Sequence, residues 1–503
     1  MDQSGITPNT SNQQLVINSD NESATALLQE KESGRREREN LNEVSFKEYM
    51  TVGILCFVNL INYMDRFTLA GVLGDVIDEF NIHDDKAGFL QTVFVVSYMV
   101  FAPIFGYLGD RYSRRVIMAF GVGLWSMTTL MGSYARDFAL FAIFRGMVGI
   151  GEASYSTIAP TIISDLFVGN IRSKMLAIFY FAIPVGSGLG YIVGSTAATA
   201  AGDWRWGLRI TPVLGTAAVV LIYWVMDDPP RGHAEDSHMK PTTYKQDIYA
   251  LIKNPSFMLS TLAFTCVAFV TGSLAWWGPQ FIFMGLKMQP NVDVTIGRVS
   301  FAFGALTMVS GLLGVPLGAW LGAALRKRWP RAHPVICGAG LLVSAPAMTL
   351  TIVLVQGYRY APFFFIFISQ VALNLNWAII ADMLLYVVIP PRRSTAEAFQ
   401  ILISHMFGDA GSPYLIGVIS EALKLTLSPA GDPTPLIKFK SLQYALFLTC
   451  FVEVLGGIFF LLTAIYIVRD KLKVERAIAE AEAQYREPSH SAAVESVGAG
   501  EGE

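Results

Sequence analysis

The sequence predicts an all-α polytopic membrane protein, with twelve transmembrane helices in two six-helix bundles. Three observations carry that expectation. Of 503 residues, 53% are hydrophobic and only 15% are charged, against about 25% charge in a soluble domain. Apolar runs long enough to cross a bilayer, roughly 20 residues each, recur along most of the chain. One long polar stretch, residues 227–254, opens Asp227-Asp228-Pro229-Pro230-Arg231 and separates six such runs from six more.

Hydropathy and helix breakers place the spans at about 49–77, 86–109, 115–134, 138–166, 172–199 and 208–226. The second set lies at about 255–284, 297–325, 333–356, 361–389, 394–423 and 441–468. The organisation expected is a polar, cytosolic, disordered tail over 1–48 and a first bundle over 49–226. A cytosolic linker over 227–254, a second bundle over 255–468 and a polar cytosolic tail over 469–503 follow, the tail opening with a short charged helical extension. Lysine and arginine gather in the loops after spans two, four, six, eight and ten, as in Arg111, Arg114, Arg115, Arg326, Lys327, Arg328, Arg392 and Arg393. The positive-inside rule puts those loops and both termini in the cytosol.

The N-terminus does not read as a signal peptide, because residues 1–45 hold no apolar core. Asn9-Thr10-Ser11 and Asn21-Glu22-Ser23 match glycosylation sequons, and in a cytosolic tail they are chance matches. The four cysteines, Cys56, Cys266, Cys337 and Cys450, fall inside apolar segments and read as buried thiols. A net charge of −3 without a basic face argues against nucleic acid as a partner. No nucleophile elbow, metal-ligand cluster or nucleotide loop points to an enzyme. No metal or cofactor is expected.

The two halves resemble each other. Gly106-Tyr107-Leu108-Gly109-Asp110-Arg111 is answered by Gly318-Ala319-Trp320-Leu321-Gly322, Arg172-Ser173 by Arg392-Arg393-Ser394, and Gly186-Ser187-Gly188 by Gly411-Ser412-Pro413. The separations, 212, 220 and 225 residues, are nearly constant. Parallel repeats place a substrate site near the bilayer midplane, between the halves.

Charges inside the spans locate that site, since a charge at membrane depth costs several kcal/mol unless paired or hydrated. Asn59, Asn62 and Arg66 stand at i, i+3 and i+7, close to one face of span one. Asp65 and Arg66 are adjacent, about 100° apart on a helix, so Asp65 turns toward a neighbouring span while Arg66 faces a cavity. Glu152 lies near the midplane of span four. It reads either as a proton switch, whose partner changes between states, or as half of a permanent ion pair with a cation such as Arg66. Arg145 is seven residues from Glu152 on the same face, about 10 Å away by helical rise, too far for contact. Asp382, His405, Asp409 and Glu453 are further candidates. His405 and Asp409, at i and i+4, suit either an acid sensor or a hydrogen-bonded helix contact. Gly186, Gly190 and Gly194 suit close helix packing.

Gly106-Tyr-Leu-Gly-Asp110-Arg111-Tyr-Ser-Arg114-Arg115 resembles the loop 2–3 signature of the major facilitator superfamily. Asp110, Arg111, Arg114 and Arg115 would form a gating network at the cytosolic rim, or Arg114 and Arg115 simply anchor the loop. Gly322 stands where the second half would need an aspartate, so the latch would be one-sided. Longer strings resemble the spinster family: Asn62-Tyr-Met-Asp-Arg66-Phe, Arg145-Gly-Met-Val-Gly-Ile-Gly151-Glu152-Ala-Ser-Tyr155, Phe179-Tyr-Phe-Ala-Ile-Pro184, and His405-Met-Phe-Gly-Asp409-Ala-Gly-Ser-Pro413. The likeness runs from about Val52 to Asp470, and it is nearest to the lysosomal branch through Val267-Ala-Phe-Val-Thr-Gly-Ser-Leu-Ala275 and Arg393-Ser-Thr-Ala-Glu-Ala-Phe-Gln400.

That resemblance implies proton-dependent export of lysophospholipids, lysophosphatidylcholine and lysophosphatidylethanolamine, from the lysosome lumen to the cytosol by alternating access. A multi-pass monomer of the lysosomal or late endosomal membrane is implied, driven by the proton gradient. On this reading Glu152, Asp65 and Arg66 serve proton coupling, and Arg66, Asn59, Asn62, Glu152, Tyr155, Trp276 and Trp277 bind substrate. Arg145, Asp382, His405 and Asp409 are secondary candidates. A sphingosine-1-phosphate exporter of the same family and a non-transporting membrane receptor are the alternatives. Leu27-Leu28 with Glu22 upstream resembles an acidic dileucine sorting signal, although the acid stands one residue too far away.

Overall fold

The computed structural model describes residues 45–167, 169–226, 228, 244–290, 292–326, 328–389, 392–428 and 433–498. The dileucine motif, both sequons and most of the 227–254 stretch lie outside the described residues, as does the side chain of Asp110. Among the described residues the structure is helical, with no strand.

Span one is helix α1 (Phe46–Gly71), continued after a break at Val72 by α2 (Leu73–Phe80). The backbone N–H of Ser45 donates to the Glu48 carboxylate at 2.8 Å and so satisfies one donor at the start of α1. Asn81, in the left-handed region at φ 45°, ends α2. Helices α3 (Asp84–Arg111), α4 (Arg114–Gly132), α5 (Phe138–Leu166), α6 (Gly169–Ala201) and α7 (Arg205–Trp224) complete the first half. Asp137 caps α5 by accepting from the backbone N–H groups of Ala139 and Leu140.

A short helix, α8 (Tyr244–Ile252), occupies the end of the polar stretch. The second half holds α9 (Pro255–Lys287), α10 (Ile296–Arg326), α11 (Ala332–Leu354), and span ten as α12 (Ala361–Asn374) with α13 (Asn376–Val387). Span eleven is α14 (Arg393–Ser404), a π-helical turn at His405–Asp409, and α15 (Gly411–Leu427). Helix α16 (Pro435–Gly498) forms span twelve and continues well past the short extension expected from sequence.

Among the described residues, nine of these helical paths are long and apolar enough to cross a membrane, by length and composition alone. The paths of spans one, four and eleven are not among them. Those three carry Asp65 and Arg66, Arg145 and Glu152, and His405 and Asp409. In spans one and four the polar groups that weaken the hydropathy signal belong to the candidate site, and span eleven is divided by its π turn into helices of 12 and 17 residues.

Packing explains where the halves hold together. Helix α1 lies along α6, α3 and α4 pack on α5, and α9 and α11 pack on α16. Between halves, α6 packs on α10 and α3 on α15. Their backbones approach closely because glycines face each other: a Cβ at Gly188 would stand 2.5 Å from the Gly304 carbonyl oxygen, and one at Gly304 would stand 2.6 Å from that of Gly188. Polar bonds cross the same seam. Ser300 donates to the Gly71 carbonyl at 2.9 Å, Trp276 Nε1 to the Ala87 carbonyl at 3.1 Å, and Thr92 to the Ala410 carbonyl at 2.6 Å. The Tyr191 hydroxyl donates to the Ala275 carbonyl. At the outer edge Lys424 pairs with Asp84 at 2.5 Å, and Ser420 donates to the same carboxylate at 2.7 Å.

These cross-half bonds cluster toward the membrane face where α2 meets α3 and where α15 ends. One apolar core runs continuously through this region, joining Leu69, Leu73, Leu90 and Tyr191 to Trp276, Trp277 and Phe303. A second core, with Leu55, Val58, Trp125 and Ile162, is almost confined to the first half. The halves are therefore sealed at that end.

Candidate functional site

The site is built from α1, α3, α4, α5 and α7, with a contribution from the π turn of span eleven. On α1 the expected divergence of neighbouring side chains is what the structure shows. Asp65 is buried and turns toward α4 and α7, accepting hydrogen bonds from Thr129, at 3.2 Å, and from Thr211. Arg66 turns the other way and pairs with Glu152 of α5 at 2.9 Å. Arg145, two turns before Glu152, does not reach it. Its Nη1 lies 3.9 Å from Asp65, and its Nη2 donates to the Arg66 backbone carbonyl at 3.2 Å. Two carboxylates and two guanidiniums thus form two pairs.

Aromatic rings line the basic members. The Arg66 guanidinium sits 4.9 Å from the Phe94 ring centroid, 5.0 Å from that of Tyr63 and 5.7 Å from that of Tyr98. Arg145 sits 4.4 Å from the same Phe94 ring. Such contacts stabilise a cation away from water by about 2 kcal/mol. Ser156 donates to the Tyr98 hydroxyl at 2.9 Å. The cluster is incompletely bonded: Glu152 Oε1, Arg66 Nε, Arg145 Nε and Asn62 Nδ2 are buried without a partner. A buried polar atom left this way costs about 1–3 kcal/mol. The Glu152 side chain is 0% exposed and that of Arg66 is 12% exposed.

From the second half, His405 Nδ1 and Asp409 Oδ1 approach to 2.8 Å. The two residues lie in a π turn, where Gly408 has non-helical angles, rather than on one face of a regular α-helix. The His405 ring is 6.2 Å from that of Tyr98, which links this pair to the Arg66 cage.

The remaining sequence-level candidates fall elsewhere. Asn59 donates to the Phe179 carbonyl at 2.9 Å, and Tyr155 donates to the Leu55 carbonyl, both bonds tying helices of the first half together. Trp276 and Trp277 are buried in the seal, with Trp277 Nε1 donating to the Pro413 carbonyl at 3.0 Å. Asp382 is outside the cluster and pairs with Arg326 at 2.9 Å, near His333. Glu453 is buried and accepts from Ser344 at 2.7 Å.

Of the loop 2–3 residues, Arg114 pairs with Asp165 at 2.5 Å, Arg115 donates to the Met226 carbonyl at 3.4 Å, and Arg111 lies over its neighbour Tyr107 at 3.8 Å. Sequence reasoning missed Phe94, Tyr98, Ser156, Thr129, Thr211 and Asp165. Only the i, i+4 spacing of Phe94 and Tyr98 offered a local signal.

A charged cluster at the depth of a two-bundle helical fold is the design of a secondary transporter, and the comparisons agree. The profile of the Major Facilitator Superfamily matches residues 55–413. A crystal structure of a bacterial homolog to the human lysosomal transporter Spinster, inward-facing and unoccupied, superposes with a TM-score of 0.73 at 20% identity, covering 84% of this chain and 98% of that one. Protein spinster of Drosophila melanogaster is 58% identical over 493 residues, 89% of this chain and 81% of the relative. Protein spinster homolog 1 of Homo sapiens is 52% identical over 438 residues, 85% and 82%. The chain belongs to the Major Facilitator Superfamily and, within it, to the spinster family.

Proposed function

We propose that this transporter exports lysophospholipids, such as lysophosphatidylcholine and lysophosphatidylethanolamine, from the lysosome lumen to the cytosol in a proton-dependent alternating-access cycle. The observation that carries the reading is the Arg66–Glu152 pair, joined by one 2.9 Å contact while Glu152 Oε1 and Arg66 Nε remain unpartnered. Protonation of Glu152 removes the charge that holds Arg66. A guanidinium freed in this way binds a phosphate through two parallel N–H bonds, and a lysolipid headgroup supplies that phosphate. Return of the proton to solvent restores the Arg66–Glu152 pair and displaces the headgroup.

With both termini cytosolic, as the loop charges favour, the sealed end faces the lumen. The protein works as a monomer in this account, with the proton gradient in place of a cofactor.

The test loads proteoliposomes with lysophosphatidylcholine at about pH 5, where an ordinary histidine is protonated, and follows its appearance outside at about pH 7. Efflux above that of protein-free vesicles, enhanced by the gradient, supports the reading. No efflux, with sphingosine-1-phosphate released instead, moves the substrate to the phosphorylated sphingoid bases.

A further inference from the structure

The two ion pairs share a partner that carries no charge. Phe94 is 0% exposed, and its ring stands 4.9 Å from the Arg66 guanidinium and 4.4 Å from that of Arg145. The two cations come from different helices, α1 and α5. Glu152 lies on the same face of α5 as Arg145, and although the rise of about 10 Å keeps the two from direct contact, each is within the other's electrostatic reach. Only a swing of the long Arg145 side chain along α5 would carry it from Asp65 to Glu152. Two contacts hold Arg145 against that swing: the ring of Phe94 beside both guanidiniums, and the 3.2 Å bond from Arg145 Nη2 to the Arg66 carbonyl.

We propose that Phe94 is a positioning residue that keeps the Arg66–Glu152 and Arg145–Asp65 pairs separate, so that the first opens during transport while the second stays closed. The ring has two effects. Its π cloud attracts each guanidinium, lessening the repulsion of two like charges in a dry environment. Its contact with both cations also ties each one to the position it holds. With the ring gone, Arg145 becomes a second counter-ion for Glu152, and that carboxylate stays paired whether or not Arg66 has been released. Rigid separation of the pairs is therefore a condition for coupling, while the fold itself needs only an apolar side chain at this position.

The inference rests on the reading of Glu152 as the coupling carboxylate, and the experiment distinguishes the two. Efflux from proteoliposomes is measured with and without a pH gradient for wild type, Phe94→Leu and Phe94→Tyr, and the ratio of the two rates is compared. The expected result is a wild-type ratio above one that collapses toward one in Phe94→Leu and is retained in Phe94→Tyr, which keeps the ring. A ring with only a packing role would lower both rates in proportion. A Phe94→Leu ratio equal to that of wild type therefore overturns the assignment and leaves the coupling reading intact. A wild-type ratio of one overturns both. If Phe94→Leu does not fold, Phe94→Met, of similar volume and without a ring, is read by the same criteria.

Discussion

Asp84→Asn should loosen the seal between the halves. Lys424 and Asp84 approach to 2.5 Å, with side chains only 10% and 13% exposed, and Ser420 donates to the same carboxylate. The asparagine keeps the shape and one acceptor but removes the charge. Lys424 retains Glu421 at 3.3 Å, so the loss falls below the ~3–5 kcal/mol of a fully orphaned buried charge, at about 1–3 kcal/mol. In the opposite state both groups reach water and the substitution costs little there. The equilibrium then moves toward opening at this end by roughly 5- to 150-fold, at 1.4 kcal/mol per decade.

A thiol at position 87 reports the shift, because Ala87 is 0% exposed and its carbonyl accepts from Trp276 in the seal. In a background without Cys56, Cys266, Cys337 and Cys450, the alkylation rate of Ala87→Cys should rise by that factor when Asp84→Asn is added. An unchanged rate would show that the Asp84–Lys424 pair does not hold the sealed state, and the argument would fail.

Gly88→Leu tests the same seam by volume: a Cβ there would lie 2.7 Å from the Tyr414 Cα, so the variant should fold yet lose transport and show permanently high labelling at position 87. Arg114→Gln should lower thermal stability clearly, because its partner Asp165 is only 16% exposed and would lose a 2.5 Å contact, a loss of about 2–4 kcal/mol. Arg326→Gln should leave the melting temperature unchanged, since that pair is 46% exposed on both sides and exposed pairs contribute under about 1 kcal/mol. Equal effects in a thermal-shift assay of these two arginine variants would contradict the burial argument.

Much of this was legible in the sequence because its signals are local. Apolar runs bounded by charges gave the helices, and the angle between successive residues sent Asp65 and Arg66 to different neighbours. Partners were harder to read. That Arg145 serves Asp65, Arg66 serves Glu152, and Arg114 serves Asp165 depends on how α1, α3, α4 and α5 cross, which no spacing encodes. Gly322, in the place of an aspartate, suggested a latch in the first half alone. The second half nevertheless builds its own rim pair from Arg326 and Asp382, with His333 Nδ1 3.1 Å from the Tyr386 hydroxyl. The π turn at His405–Asp409 escaped notice because a 3.6-residue period assumes regular helix. The family resemblance implies a substrate-binding role for Trp276 and Trp277, whereas their indole N–H groups are bonded within the seal.

The central claim is that Glu152 exchanges its hold on Arg66 for a proton. The most direct measurement is gradient-driven lysophosphatidylcholine efflux from proteoliposomes for wild type and Glu152→Gln, the latter a permanent mimic of the protonated state. The account predicts that wild type responds to the gradient and that Glu152→Gln, while still folded and able to bind the lipid, does not. Equal gradient dependence in the two proteins would contradict it and leave the Arg66–Glu152 pair as scaffold.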